Sequence, residues 1–202
     1  MTKVVFDLAE TESRDSYKLL SGLVVPRPIG WIGTRREDGS NNLAPFSFFN
    51  VVSTNPPVVL FSAGSHSDRP KDSSTIAEIS GEFTVNIVSE DVVEAMSITS
   101  GSFTAVDDEF AIAGLTAVEG TKVSAPLVAE SPANLECRVR RVIDLGGEGR
   151  TKLVVGDVMV IHVEQSVLDG TRVDNDALRA VGRMAGTTYI STRDRFDVVR
   201  PR

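Results

Sequence analysis

The chain has 202 residues, 41% hydrophobic and 24% charged, which suits one compact domain and excludes general disorder. Its 21 Lys and Arg against 28 Asp and Glu give a net charge of -7, which repels phosphate backbones and anionic lipid, so no nucleic-acid or membrane partner is expected. The single cysteine, Cys137, excludes an intrachain disulfide, and with only His66 and His162 beside it no metal site is expected.

No apolar signal core opens the chain, and the longest apolar stretch, 153–163, is interrupted by Gly156 and Asp157. A cytoplasmic protein is expected. Residues 17–24 read as a helix with Tyr17, Leu20 and Val24 on one stripe, stopped by Pro26-Arg27-Pro28. Residues 29–35 and 43–49 read as two strands around the turn signal Glu37-Asp38-Gly39. A third strand, 58–63, follows Pro56-Pro57, and 65–71 is a polar loop. A helix is expected over 73–79, ending at Gly81, then a strand over 83–88. Ser89 reads as the cap of another helix, with Glu90 and Asp91 in its first turn.

Residues 99–132 read as one long irregular segment. Strands follow at 135–143 and 152–163, the second apolar on nearly both faces, with Gly156 marking a bulge. One helical turn is expected over 177–181, and a short charged tail begins at Ser191. Strands outnumber helices and hairpin turns link several of them. The architecture is therefore mainly β, an antiparallel barrel with a few packed helices, and no glycine-rich turn supports a dinucleotide-binding fold.

Three stretches carry chemistry, each with a plain structural alternative. In the run from Asn42 to Asn50, Phe48 and Phe49 are neighbours on a strand and must face opposite ways. One packs inside while the other faces a pocket or an interface, with Ser47 and Asn50 able to bond the polar edge of a flat ligand. Lys71-Asp72-Ser73 opens a helix, where free N–H groups and a positive charge suit a phosphate, although simple capping explains the same residues. Arg183 lies between Gly182 and Gly186, with Tyr189 beyond, and suits an anionic or aromatic group; a solvent-facing loop is the alternative. Three further readings are structural. His162 is a hydrogen-bonded strand residue, Cys137 a small core residue, and Asp107-Asp108-Glu109 a solvated charge run.

The order Val25-Pro26-Arg27-Pro28-Ile29-Gly30-Trp31, then Asn42-Leu43-Ala44-Pro45-Phe46-Ser47-Phe48-Phe49-Asn50, Asn55-Pro56-Pro57, Lys71-Asp72-Ser73 and Val181-Gly182-Arg183 resembles the flavin reductase-like proteins, such as flavoredoxin and the reductase component of nitrilotriacetate monooxygenase. The resemblance implies a single domain over 1–202, with its core at about 17–189 and a short tail. It implies an antiparallel Greek-key split β-barrel that binds FMN as a homodimer. It implies hydride transfer from NAD(P)H to flavin, with a monooxygenase as a partner for the reduced product; an FMN-binding electron carrier without NAD(P)H turnover is the alternative. Ser47, Phe48, Phe49 and Asn50 are expected along the isoalloxazine, with Asn42 on the same strand. Ser62 and Gly64 are expected toward the ribityl side, Lys71, Asp72 and Ser73 at the phosphate, and Arg183 and Tyr189 closing the pocket. No dedicated catalytic residue is expected, because hydride transfer between two flat rings needs placement and exclusion of water. Some relatives carry Gly-Asp-His where this chain has Gly156-Asp157-Val158, which weakens the expectation of NAD(P)H oxidation more than that of FMN binding.

Lys71→Ala is expected to weaken FMN binding by about 1.5–3 kcal/mol. A flavin titration checks this, and unchanged affinity would place the phosphate elsewhere.

Overall fold

The computed structural model describes residues 1–64, 72–104, 106–146 and 151–201. Helix α1 (Ser13–Leu23) leads into β1 (Arg27–Pro28), β2 (Gly30–Arg35), β3 (Asn41–Phe46), β4 (Phe49–Thr54) and β5 (Pro57–Ala63). Then come α2 (Asp72–Ser80), β6 (Glu82–Ile87), α3 (Val93–Ile98), α4 (Glu109–Ile112), β7 (Ala117–Val118) and β8 (Leu127–Val128). The long strands β9 (Ala133–Asp144) and β10 (Lys152–Val163) precede β11 (Leu168–Asp169), β12 (Arg172–Val173), α5 (Asn175–Leu178), β13 (Val181–Arg183) and β14 (Tyr189–Ser191).

Seven strands form one antiparallel sheet in the order β3-β2-β6-β9-β10-β5-β4. Strands β3 and β4 are its opposite edges, yet only Ser47 and Phe48 separate them in sequence. Laid flat, edges of such a sheet would stand about 29 Å apart. Two linking residues reach only about 11 Å. The sheet must therefore curl until its edges meet, and it does so without the β3–β4 ladder that would close it. A smaller sheet, β1-β13-β14, stands beside this junction.

The sheet encloses one core and covers another. Inside lie Ile32, Phe46, Phe49, Phe61, Phe83, Val85 and Val154, with Ala77 of α2. Phe61 meets Phe46 at 5.1 Å and the edge of Phe83 at 5.3 Å between ring centroids, arrangements that suit aromatic quadrupoles. Ile29, Trp31, Leu43, Met96, Phe110 and Val181 form the second core, under α3 and α4. Gly156 sits at a register shift of β10, and a Cβ there would lie 2.4 Å from the Phe83 ring, so only glycine lets the two strands approach.

Several expectations are corrected. The second strand ends at Phe46 rather than reaching 49, because Phe49 already belongs to β4 and pairs with Phe61. The strands buried on both faces are β2 and β6, not β10. Beyond Asp157 strand β10 loses its β5 partner, and Ile161 is 61% exposed. The stripe of Tyr17, Leu20 and Val24 on α1 also faces outward, and Ser21 is the buried residue of that helix. Helix α3 starts at Val93, so Glu90 and Asp91 precede it. Glu90 instead collects Arg193, Ser191 and Arg179, whose donors hold its carboxyl down at about 2. Residues 99–132 contain α4 and the β7–β8 pair, and the last helical turn is α5, followed by Arg179 at φ 50 and strand β13.

Glu136 is fully buried on β9. Its carboxylate accepts from the Thr121 amide and hydroxyl, each at 2.8 Å, the Lys122 amide at 2.5 Å and the Val123 amide at 2.9 Å, and it meets His162 Nε2 at 2.6 Å. His162 is thus the hydrogen-bonded strand residue expected. Burial pushes the Glu136 carboxyl up, but these donors outweigh it and hold it at about 2. The folded value lies below the ordinary 4.5, so the stability Glu136 contributes is whole above that pH and is lost as pH falls toward 2. Glu136→Gln is expected to cost about 2 kcal/mol at neutral pH, since its amide nitrogen would face backbone donors. It should also flatten the acid limb of stability. Denaturant melts of both proteins across that window check this, and parallel pH profiles would refute it.

Candidate functional site

The junction of β3 and β4 positions the residues singled out above. Phe48 and Phe49 do face opposite ways. Phe49 packs into the core, where Gly30 makes room: a Cβ there would lie 2.7 Å from the Phe49 ring. Phe48 is 46% exposed, and its ring lies 5.8 Å from the Arg27 guanidinium carbon. The Phe48 carbonyl accepts from the Ser62 amide at 2.8 Å, which ties the linker to β5.

Three cavities run along this junction. The first, ≈ 320 Å³, is lined by Ser47, Phe48, Phe49, Asn50 and Ser62, with Arg27. The second, ≈ 260 Å³, shares Arg27 and Ser47 with it and adds Arg183, Tyr189 and Tyr17. The third, ≈ 270 Å³, shares Pro45 and Ser100 with the second and adds Asn42, Asp72, Ser73 and Glu109. Shared wall residues line these up as one groove, mainly apolar at the Phe48 end and polar beyond it. A wider hollow of ≈ 740 Å³ lies elsewhere, between Asp174 and the C-terminal segment, and none of the predicted site residues lines it.

The predicted residues differ in how free they are. Asn42 is buried; its amide donates to Ser73 Oγ at 2.9 Å and Thr34 Oγ1 at 3.2 Å. Asp72 opens α2 and stands 3.6 Å from Arg36, so this acid meets a local positive charge. Ser47 accepts from Arg27 Nε at 3.3 Å. Asn50 is exposed and its side chain accepts from the Val51 amide, which leaves its NH₂ outward. Arg183 lies over the Tyr189 ring at 4.5 Å and donates to the Gly186 carbonyl. Gly64 follows β5, is exposed, and lines none of the three cavities. Lys71 and His66 lie outside the described residues.

Sequence reasoning missed Arg27, the 99–103 segment and Glu109. Trp31 Nε1 donates to Thr99 Oγ1 at 2.9 Å and pins that segment against the groove. The Asp-Glu run is not solvated. Asp108 caps α4 by accepting from the amides of Phe110 and Ala111, and Glu109 is only 5% exposed. The acidic run concealed its one buried member, because the α4 turn that buries Glu109 spans only four residues. Glu109 lines the third cavity, and its Oε2 has no hydrogen-bond partner among the described residues. Burial pushes its carboxyl up from the ordinary value, against the pull of nearby amides and Arg36. A buried polar atom of this kind is stabilised by a ligand atom that can share a proton with it.

Residues 21–182 match the flavin reductase like domain, and the chain belongs to that family. It is similar to a protein of Deinococcus radiodurans, 40% identical over 209 residues that cover 99% of this chain and 91% of the relative. Among solved structures it is similar to nitrilotriacetate monooxygenase component B from Bacillus cereus, 31% identical, with a TM-score of 0.94 over 98% of this chain and all of that one. Flavoredoxin of Desulfovibrio vulgaris shares the fold at 22% identity and a TM-score of 0.76, over 87% of this chain and 91% of the other. The curled antiparallel sheet is therefore the split barrel of a flavin-binding oxidoreductase family.

An uncompensated carboxylate destabilises the fold once it is charged. The Glu109 value is raised, so the penalty grows as pH rises above the ordinary carboxylate range. Glu109→Gln is expected to stabilise the ligand-free protein at neutral pH by about 1 kcal/mol, or roughly 2–4 °C in melting temperature. The difference should vanish in acid. A melting temperature lowered at pH 7 would contradict this.

Proposed function

We propose that the protein binds FMN in the β3–β4 groove and passes hydride from NAD(P)H to it, with a monooxygenase as the consumer of the reduced flavin. The observation that carries this reading is the groove itself: an apolar end with an exposed aromatic, a polar middle, and a helix start at the far end. The component B likeness supports the monooxygenase partner.

The residues fit the group. Phe48 offers an apolar ring beside the flat isoalloxazine, and Ser47, Asn50 and Ser62 offer hydroxyl and amide groups to its polar edge. Ser73 and Lys71 hold the phosphate at the start of α2, with Asn42 orienting the Ser73 hydroxyl and Asp72 turned to Arg36. Gly64 contributes to the ribityl side as chain rather than as wall. Glu109 completes that end by sharing a proton with a ligand oxygen. Bound flavin supplies the hydride acceptor; the chain holds it, orients the donor and excludes water, and no side chain serves as acid or base. Arg183 and Tyr189 close the middle of the groove.

A homodimer is part of this reading. The outward stripe of Tyr17, Leu20 and Val24, together with Ile161 and Met159, leaves apolar surface that a second copy would cover.

One observation favours the electron-carrier alternative. Val158 packs against the inner core, and Asp157 is held by Arg140 at 2.6 Å, so this part of β10 offers no titratable group to a nicotinamide. Two measurements decide between the readings. Visible flavin bands that survive dialysis with FMN are expected, as is oxidation of NADH or NADPH faster than with free flavin alone. Retained colour without turnover would leave the carrier. Neither colour nor turnover would refute both, and a monomer mass by sedimentation at micromolar concentration would refute the dimer.

A further inference from the structure

Arg27 and Arg183 are direct partners across the antiparallel β1–β13 pair. Like charges set opposite each other in a sheet repel, and a buried charge is costly unless it is compensated. Arg27 is 6% exposed. Its guanidinium donates to the carbonyls of Ser21 at 2.5 Å, Val24 at 2.9 Å and Met184 at 3.0 Å, and to Ser47 Oγ at 3.3 Å. Every one of these acceptors is neutral. Arg183 rests on the Tyr189 ring and donates to a carbonyl. Neither arginine has an ion pair among the described residues, and the cavity they share has no Asp or Glu in its wall.

Other arginines do meet acids: Arg35 pairs with Glu119, Arg140 with Asp157, Arg179 and Arg193 with Glu90, and Arg195 with Asp176. Among the described residues Arg27 is the one buried arginine, and neither it nor the arginine opposite it meets an acid. Neutral carbonyls fix the direction of the Arg27 fork without cancelling its charge. An acid paired with the guanidinium would do both. Two oriented, uncancelled guanidinium groups in one small cavity match the charge and the bidentate geometry of phosphoryl oxygens.

We propose that Arg27 and Arg183 form a phosphoryl-binding subsite that takes the pyrophosphate of the dinucleotide hydride donor. This rests on the reductase reading above, which already places the flavin phosphate at Ser73 and Lys71. The subsite lies between that end and Phe48, sharing Ser47 with the Phe48 cavity and Ser100 with the Ser73 cavity. A donor anchored there has its nicotinamide within reach of a flavin beside Phe48. The flavin's own phosphate is the other source of the same chemistry, and the test separates the two.

Inorganic pyrophosphate and ADP-ribose, which carries the pyrophosphate without nicotinamide, are titrated calorimetrically into the wild type, Arg183→Gln and Arg27→Lys, with circular dichroism confirming the fold. FMN and riboflavin affinities are measured on the same proteins. The expected result is binding of ADP-ribose by the wild type, weakened about tenfold or more in Arg183→Gln, and weakened in Arg27→Lys because an ammonium lacks the planar fork. The preference for FMN over riboflavin should persist in Arg183→Gln. No binding of either probe by the wild type at millimolar concentration, or equal binding by Arg183→Gln, would overturn the proposal. Loss of the FMN preference in Arg183→Gln, without ADP-ribose binding by the wild type, would assign the arginines to the flavin phosphate and overturn it too. Arginine-dependent ADP-ribose binding in a protein that oxidises neither NADH nor NADPH would sustain the subsite while the reductase reading fails.

Discussion

Ser47 and Phe48 impose the constraint on which the rest of the molecule depends. They join the two edge strands of a seven-stranded sheet, so the sheet has to curl until those edges are neighbours. The curl creates the interior that Phe46, Phe49, Phe61 and Phe83 fill. The edges nonetheless do not pair, and the Phe48 carbonyl is taken by Ser62 on β5 instead. A split therefore remains, and the groove runs along it. Core and groove are two consequences of one short linker, with Phe49 turned into the first and Phe48 toward the second.

Buried charge shows where the fold is self-sufficient and where it is not. Glu136 is surrounded by backbone and hydroxyl donors, and its carboxyl sits far below the usual range although it is fully enclosed. It anchors the 121–123 segment to β9 and asks for nothing further. Glu109 has one oxygen without a partner and is pushed the other way. Arg27 has many partners but no counter-charge. Folding alone explains the first of these. The other two both line the groove, and a protein that tolerates uncancelled polar groups at one place does so where a ligand completes them.

The relation to component B and flavoredoxin is expressed in the fold. The interior of β10 is apolar at Val158, and Asp157 is spent on Arg140.

Local patterning was enough for much of this. The glycine turn at 39, the helix start at 72–73 and the bulge at Gly156 are short-range properties, and the sequence expresses them directly. That neighbouring side chains on one strand face opposite ways follows from strand geometry alone. Where one strand ends and the next begins between Phe46 and Phe49 does not, because both segments are β-prone and only pairing with Phe61 decides it. Burial was likewise undecidable from pattern. The apolar stripe of α1 and the far half of β10 look like core but are left outside, since none of the described residues packs over them. Glu109 looks solvated in an acidic run and Arg27 looks like a residue between prolines. Both are buried by segments distant in sequence, and long-range contact of that kind is settled only when the sheet curls and brings β3, β13 and the 99–103 segment to one groove.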